Sequence, residues 1–204
     1  MSQKNMWEIE EACKGRGYRC ICGVDEAGRG PLAGPVCAAA VVLPFGCEIP
    51  GLDDSKKLSN KRRRELFPII QEKALGYAIA FADHKEIDDL NILQATFLAI
   101  ERALRALPCQ PDIALIDGNR SRDFGLETQT VVHGDSLSAS IAAASILAKV
   151  TRDDYMMKMA ETYPGYGFEI HKGYGTKAHY AALEAMGPCE IHRMTFLKKF
   201  YGNK

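Results

Sequence analysis

The chain has 204 residues, 47% of them hydrophobic, and its 26 basic and 26 acidic side chains cancel to zero formal charge. That suits one domain with a sizeable core and excludes a uniformly polyanion-binding surface, so any nucleic-acid contact must come from local clustering of charge. No apolar run approaches the roughly 18–20 residues of a membrane span, and seven cysteines, an odd number without framework spacing, fit reduced thiols in a cytoplasmic protein.

The opening MSQKNMWEIEEACK lacks a basic-then-apolar signal pattern and reads as a short amphipathic helix. RCICGVD (19–25) reads as a strand that ends at the pair Asp25–Glu26. Its C-x-C, Cys20 and Cys22, has no second ligand pair at zinc spacing and is explained by alternation on a strand. PVCAAAVVL (35–43) is apolar enough for a strand buried on both faces, and GYAIAFA (76–82) makes a third. Ser59 is the expected N-cap of a basic helix over about 60–75, with Leu66, Ile69 and Ile70 inward and Pro68 kinking or shortening it. From about 88 to 107, Leu90, Leu93, Phe97, Ile100, Leu104 and Leu107 recur at threes and fours and predict one helix, ended by Pro108 and Pro111. IALID (113–117) and TQTVVHGD (128–135) are strand-like. SASIAAASILAKV (138–150) is rich in small residues and is expected to pack closely on the sheet. A Gly/Tyr-rich loop follows at 163–175, and Thr176 caps a helix stopping at Gly187–Pro188. Strands first, then strands alternating with helices, predict an α/β mixed sheet covered by helices.

Three strand-like runs finish in carboxylates: Asp25–Glu26, Asp117 and Asp135. Ends of strands are where open α/β sheets gather their sites. Two carboxylates about 4 Å apart repel by on the order of 4 kcal/mol at an effective dielectric near 20, so several could converge only around cations. Hard oxygen ligands select magnesium, manganese or calcium, and paired cations of this kind serve phosphodiester cleavage. Aspartates also cap turns at strand ends, and pattern alone leaves that alternative open. Adjacent strand residues point to opposite faces, so joint use of Asp25 and Glu26 predicts a break in the strand, helped by Gly28 and Gly30. The turn GRGPLAG (28–34) has the wrong spacing for a dinucleotide loop, and Pro31 has no amide to offer a phosphate. A loop approaching a nucleic-acid strand, with Arg29 for a phosphate, uses these glycines better.

At this point VDEAGRGPLAGPV (24–36) resembles the N-terminal signature of bacterial ribonuclease HII, which cuts the RNA strand of RNA–DNA hybrids. DDSKKLS (53–59), IDGN (116–119), HGD (133–135), AAASILAKVTRD (142–153) and HKGYGT (171–176) match in the same order, together spanning roughly residues 20–190. The resemblance implies a ribonuclease-H-like mixed β-sheet flanked by helices, with a C-terminal helical appendage: one catalytic domain over 1–204 whose portion from about 155 binds substrate. It implies Asp25, Glu26, Asp117 and Asp135 as ligands of two divalent ions, Mn2+ or Mg2+. It implies the Gly28-Arg29-Gly30 turn at the 2′-hydroxyls, Tyr174 stacked on the sugar beside the RNA–DNA junction, and Lys56 near the scissile phosphate. Only the 2′-hydroxyl distinguishes RNA from DNA at a given position, and glycine-held backbone can reach it. The implied substrates are RNA–DNA hybrids and DNA duplexes containing ribonucleotides, and the implied state is a monomer. A non-catalytic hybrid-binding protein and a DNA-directed two-metal nuclease on the same fold are the rival functions. His133 departs from the family's usual lysine before the fourth acid. The sister ribonuclease HIII has lysine within the glycine motif and an additional N-terminal domain, so Arg29 and the short N-terminal stretch point to HII.

Among the remaining residues, the run Lys56, Lys57, Lys61, Arg62, Arg63 and Arg64 is expected to track phosphates. Asp153 and Asp154, taken to lie beyond a helix, suit cap or ion-pair roles. His171 with Lys172 fits a phosphate contact or a loop hydrogen bond equally, and His179 and His192 read as structural. A triad of Ser136, His133 and Asp135 is excluded by the missing G-x-S-x-G elbow. TFLKKFYGNK (195–204) carries no clear partner-binding motif.

Overall fold

A computed structural model describes residues 5–202; Met1–Lys4, the start of the N-terminal amphipathic stretch, and the last two residues lie outside it. Helix α1 (Glu8–Gly15) leads into β1 (Ile21–Ala27) and β2 (Val36–Val42), followed by α2 (Asn60–Lys73), β3 (Gly76–Ala82), α3 (His84–Leu90), α4 (Ile92–Arg105), β4 (Ile113–Asp117) and β5 (Glu127–Val131). The chain ends in α5 (Ala139–Thr162), α6 (Phe168–His171), α7 (Lys177–Met186) and α8 (Met194–Tyr201). The five strands form one mixed sheet in the order β3-β2-β1-β4-β5. The first three are antiparallel neighbours, while β4 and β5 run parallel to β1. The predicted mixed sheet flanked by helices is what the chain forms.

Strand alternation divides the core. Cys22, Val24, Ala38, Ala40 and Ile116 face α4, where Ala95, Phe97, Ala99, Ile100 and Ala103 cover them. On the other face, Cys37, Ala39 and Val41 meet Ala143, Ala144, Ile146 and Leu147 of α5, with Leu66 and Ile70 of α2. The small residues of α5 let it close on β1 at Gly23, where an added Cβ would lie 2.1 Å from the Ser140 carbonyl carbon. Gly23→Ala is therefore expected to lower stability by about 3 kcal/mol through overpacking, read as a shift in the urea midpoint at unchanged m-value.

Besides the four-residue α6 inside the loop expected over 163–175, the predicted elements differ from those observed at four points. The helix over 88–107 is two helices: Asn91 (φ 70) interrupts it, and its side chain accepts from the Leu93 and Gln94 amides to start α4 afresh. Apolar spacing carries across such a break because it records facing, not backbone continuity. Pro68 neither ends nor splits α2, which runs on to Lys73. It lies on the exposed side with Arg64, whose carbonyl it leaves unbonded, so no orphan acceptor is sealed in the core. The helix begun at 138–150 continues to Thr162, so Asp153 and Asp154 are inside α5, paired with Lys149 and Arg64. Asp135 sits in a one-turn 3-10 helix after β5, not at a strand end.

After α5 the chain builds a smaller core from Met156, Tyr166, Phe168, Leu183, Ile191 and Leu197, joined by Leu32 and Ala33 of the loop after β1. The C-terminal helices are thereby fastened to the loop that carries the glycine turn.

Candidate active site

Parallel pairing of β1 with β4, with Val24 opposite Ile116, brings Asp25 and Asp117 to the same end of the sheet. Asp117 accepts the Gly134 amide (2.7 Å), which draws the Asp135 turn against it. One carboxylate oxygen each from Asp25, Asp117 and Asp135 then lies within 4.8 Å of the others. Asp25 also accepts its neighbour's amide (2.7 Å), and the Ser145 hydroxyl, 2.6 Å from that of Ser55, lines the same cleft. Lys56 reaches Asp135 at 2.7 Å.

Glu26 is placed differently. The strand does not break after Asp25; β1 pairs with β2 as far as Ala27↔Cys37. Alternation therefore sends Glu26 to the α4 side, where it meets Arg29 at 3.2 Å. It borders a cleft of about 410 Å³ with Thr96, Phe97 and Asp117, while Asp25 and Glu26 share a second, of about 260 Å³, with Asp117, Lys56 and Tyr174. Asp117 belongs to both, so the acids straddle the end of the sheet instead of sharing one face.

Burial pushes the Asp25 carboxyl well above the usual range, and the neighbouring Glu26 and Asp117 push it further. Asp117 is raised by burial and by Asp135. Glu26 is raised by burial against the lowering pull of Arg29. Lys56, though partly desolvated, is held protonated by Asp135. At Asp25, Glu26 and Asp117, burial and mutual repulsion outweigh the nearby Arg29 and Lys56, and a group offering only hard oxygen atoms fits a hard divalent cation.

The smaller cleft also gathers Gly28, Arg29, Gly30, Lys56, Tyr174 and, from the basic run, Arg63, and adds three residues to which the sequence alone assigns no site role: Ser55, Ser145 and Lys149. Ser145 and Lys149 share one helix face within the expected 138–150 segment, and carrying that i, i+4, i+7 spacing past Val150 adds Arg152. The basic run disperses: Lys57, Arg62 and Arg64 pair with Asp53, Glu65 and Asp154, Lys61 is exposed, and Lys56 and Arg63 line the cleft. His133 is exposed in a left-handed conformation (φ 57) at the start of the Asp135 turn. His171 takes the loop role, bonded to the Tyr166 carbonyl at 2.8 Å.

Two fully buried arginines hold the glycine turn. Arg193 donates to the carbonyls of Gly28 (2.6 Å), Arg29 (2.9 Å) and Gly34 (2.9 Å). Arg152 donates to Pro35 (3.0 Å), Ala33 (3.2 Å) and, across the cleft wall, Lys172 (3.1 Å). Tyr174, 43% exposed, overhangs Gly30.

The family model for ribonuclease HII matches residues 22–199. The ribonuclease HII of Geobacter sulfurreducens is 55% identical over 194 residues, 95% of this chain and 89% of its own. That of Caldicellulosiruptor bescii is 53% identical over 195 residues, 96% of this chain and 95% of its own. The crystal structure of ribonuclease H2 from Pyrococcus horikoshii superposes with a TM-score of 0.72 at 27% identity, covering 87% of this chain and 93% of that one.

Proposed function

The chain belongs to the ribonuclease HII family, endoribonucleases of RNA–DNA hybrids, and from that membership we propose that it also incises DNA duplexes at single embedded ribonucleotides, using two divalent cations, Mg2+ or Mn2+, and leaving 5′-phosphate and 3′-hydroxyl ends. The observation that carries the proposal is the meeting of Asp25, Asp117 and Asp135 oxygens within 4.8 Å, beside a cleft walled by the glycine turn and Tyr174.

In this reading Asp25, Asp117 and Asp135 hold the cations, with Glu26 reaching in from the other side of the strand end. Bound there, divalent cations supply Lewis acidity at the scissile phosphate and lower the pKa of the attacking water. The chain's own groups orient the substrate. Arg193 occupies lone pairs of the Gly28 and Arg29 carbonyls, which fixes the turn so that its remaining donors and acceptors meet a 2′-hydroxyl in one geometry. Tyr174 offers an exposed ring face to the sugar at the junction. Lys56, on the rim, takes the phosphate beside the cut, exchanging its contact with Asp135 for one with substrate. Residues 1–204 act as one catalytic domain, with the portion from about 155 binding the duplex, in a cytoplasmic monomer that serves removal of ribonucleotides from DNA. No helix among the described residues is long and apolar enough to cross a membrane.

The test is a DNA duplex carrying one ribonucleotide, incubated with Mg2+ or Mn2+ beside an all-DNA duplex. The expected result is a nick 5′ to the ribonucleotide, 5′-phosphate and 3′-hydroxyl termini, and an untouched DNA control. Binding without incision would favour a non-catalytic hybrid-binding protein, and equal cutting of both duplexes a DNA-directed nuclease.

A further inference from the structure

Three histidines that hydrolysis does not use lie together beneath Tyr174. His171 ends α6, His179 lies in the first turn of α7, and His192 precedes α8; all three are buried. The His171 and His179 rings stack with centroids 4.5 Å apart, and Phe168 closes over the group.

Their neighbours assign their protons. The Cys189 amide donates to His192 Nδ1 (2.9 Å), so that nitrogen is an acceptor. The Cys189 carbonyl, 3.2 Å from the same atom, already receives the His192 amide, and the Cys189 thiol at 3.1 Å is a further donor to it. His192 therefore carries its hydrogen on Nε2 and donates to His179 Nε2, 3.0 Å away. Accepting there, His179 carries its hydrogen on Nδ1 and donates to the Tyr174 carbonyl at 3.0 Å. The result is a one-directional relay from Cys189 to Tyr174 in which both imidazoles are neutral and of opposite tautomer.

The relay ends where the backbone needs holding. Immediately before Tyr174, Lys172 (φ 52) is left-handed, a conformation that a non-glycine residue keeps only when its surroundings enforce it, and Gly173 (φ 84) continues the turn. The relay also begins on the segment that holds the opposite wall. Ile191 accepts the Gly34 amide (2.9 Å), His192 bridges to Ala33, and Arg193 clasps Gly28 and Arg29. One tripeptide thus reaches the glycine turn directly and Tyr174 through His179.

We infer that His179 and His192 are positioning residues, setting the distance between the glycine turn and the Tyr174 ring and so the fit of the ribonucleotide between them. The inference rests on the proposed role of Tyr174, and the experiment separates the two.

Steady-state kinetics on the single-ribonucleotide duplex would compare Tyr174→Ala, His179→Asn and His179→Gln, with the melting temperature of each recorded. An Asn amide nitrogen occupies the place of Nδ1 and keeps the donor to Tyr174; a Gln amide occupies that of Nε2 and keeps only the contact with His192. The relay predicts that His179→Gln raises KM about fivefold at nearly constant kcat, the effect of one lost hydrogen bond, and that His179→Asn stays within about twofold of wild type. Equal KM values for the two variants, or changes that follow melting temperature alone, would overturn it. Indifference to Tyr174→Ala would remove the reading of Tyr174, and the inference with it. Independently of activity, a long-range 1H–15N spectrum of the wild type should find His179 as the Nδ1–H and His192 as the Nε2–H tautomer; any other pair breaks the relay.

Discussion

Asp25→Asn is expected to lower incision at least about a thousandfold while making the metal-free protein more stable. The activity loss follows from removing a buried carboxylate from the three that converge. The stability gain follows from the sign of its pKa shift. Burial, Glu26 and Asp117 raise the Asp25 pKa in the folded state, so the native protein keeps a proton that the unfolded chain releases near the ordinary value of 3.8. Between that value and the raised one, stability falls as pH rises; above the raised value the full penalty remains. Asparagine carries no charge and escapes it. In EDTA at pH 8, melting of Asp25→Asn should exceed wild type by on the order of 3 °C. In saturating Mg2+ the difference should shrink or reverse, because a ligand of the native state stabilises the wild type by mass action. Differential scanning fluorimetry with and without the cation reads both effects. A variant less stable than wild type in EDTA would mean that the acids are balanced by the protein itself.

The second large effect is expected from Gly28→Ala. Gly28 has φ +95, where an L side chain is strained, and its Cβ would lie 1.9 Å from Arg152 Nε and 2.8 Å from the Pro35 carbonyl oxygen. Arg152 is wholly buried and bonded to three carbonyls, so it has nowhere to swing. Backbone strain of about 1 kcal/mol adds to lost charge-assisted bonds of about 1.5–3 kcal/mol each, so the loss of stability should be about 3–5 kcal/mol. Incision at a ribonucleotide should fall by about a hundredfold or more even at temperatures where the variant is folded, because a displaced turn misplaces the substrate. Urea unfolding and single-turnover incision below the transition measure the two losses separately. Gly30→Ala is the contrast: its Cβ would meet only the Tyr174 ring edge, at 3.7 Å, so the protein should keep its stability and lose activity through the cleft alone.

What could be read in the sequence was whatever is written in local pattern. The buried strand VCAAAVV, the Ser59 and Thr176 caps and the small-residue face of α5 each follow from spacing or residue type, and each is present. Asp117 is legible because it ends β4, and Asp25 because it lies near the end of an apolar strand-like run, although β1 continues to Ala27. Asp135 was legible as a residue but not in its setting, since a 3-10 turn after an edge strand leaves no periodic trace. Glu26 was misjudged in geometry for a physical reason. The expected strand break assumed that both acids must face one side, whereas a site at the tip of a strand is reachable from both faces. The parts that escaped are long-range. Nothing near Arg193 in sequence announces that it will hold carbonyls of Gly28 and Arg29, more than 160 residues earlier. The histidine relay likewise joins 179 to 192 and ends on 174. Such contacts depend on how the C-terminal helices dock on the loop after β1, which the chain settles only when folded.

Asp25, Asp117 and Asp135 should together bind a divalent cation, and Mn2+ soaked into crystals of the protein would show it. The expected result is anomalous density between the Asp25, Asp117 and Asp135 carboxylates, with oxygen distances of roughly 2.0–2.3 Å, lost in Asp25→Asn crystals soaked alike. Anomalous density elsewhere on the surface, with none between these three residues at saturating Mn2+, would contradict it.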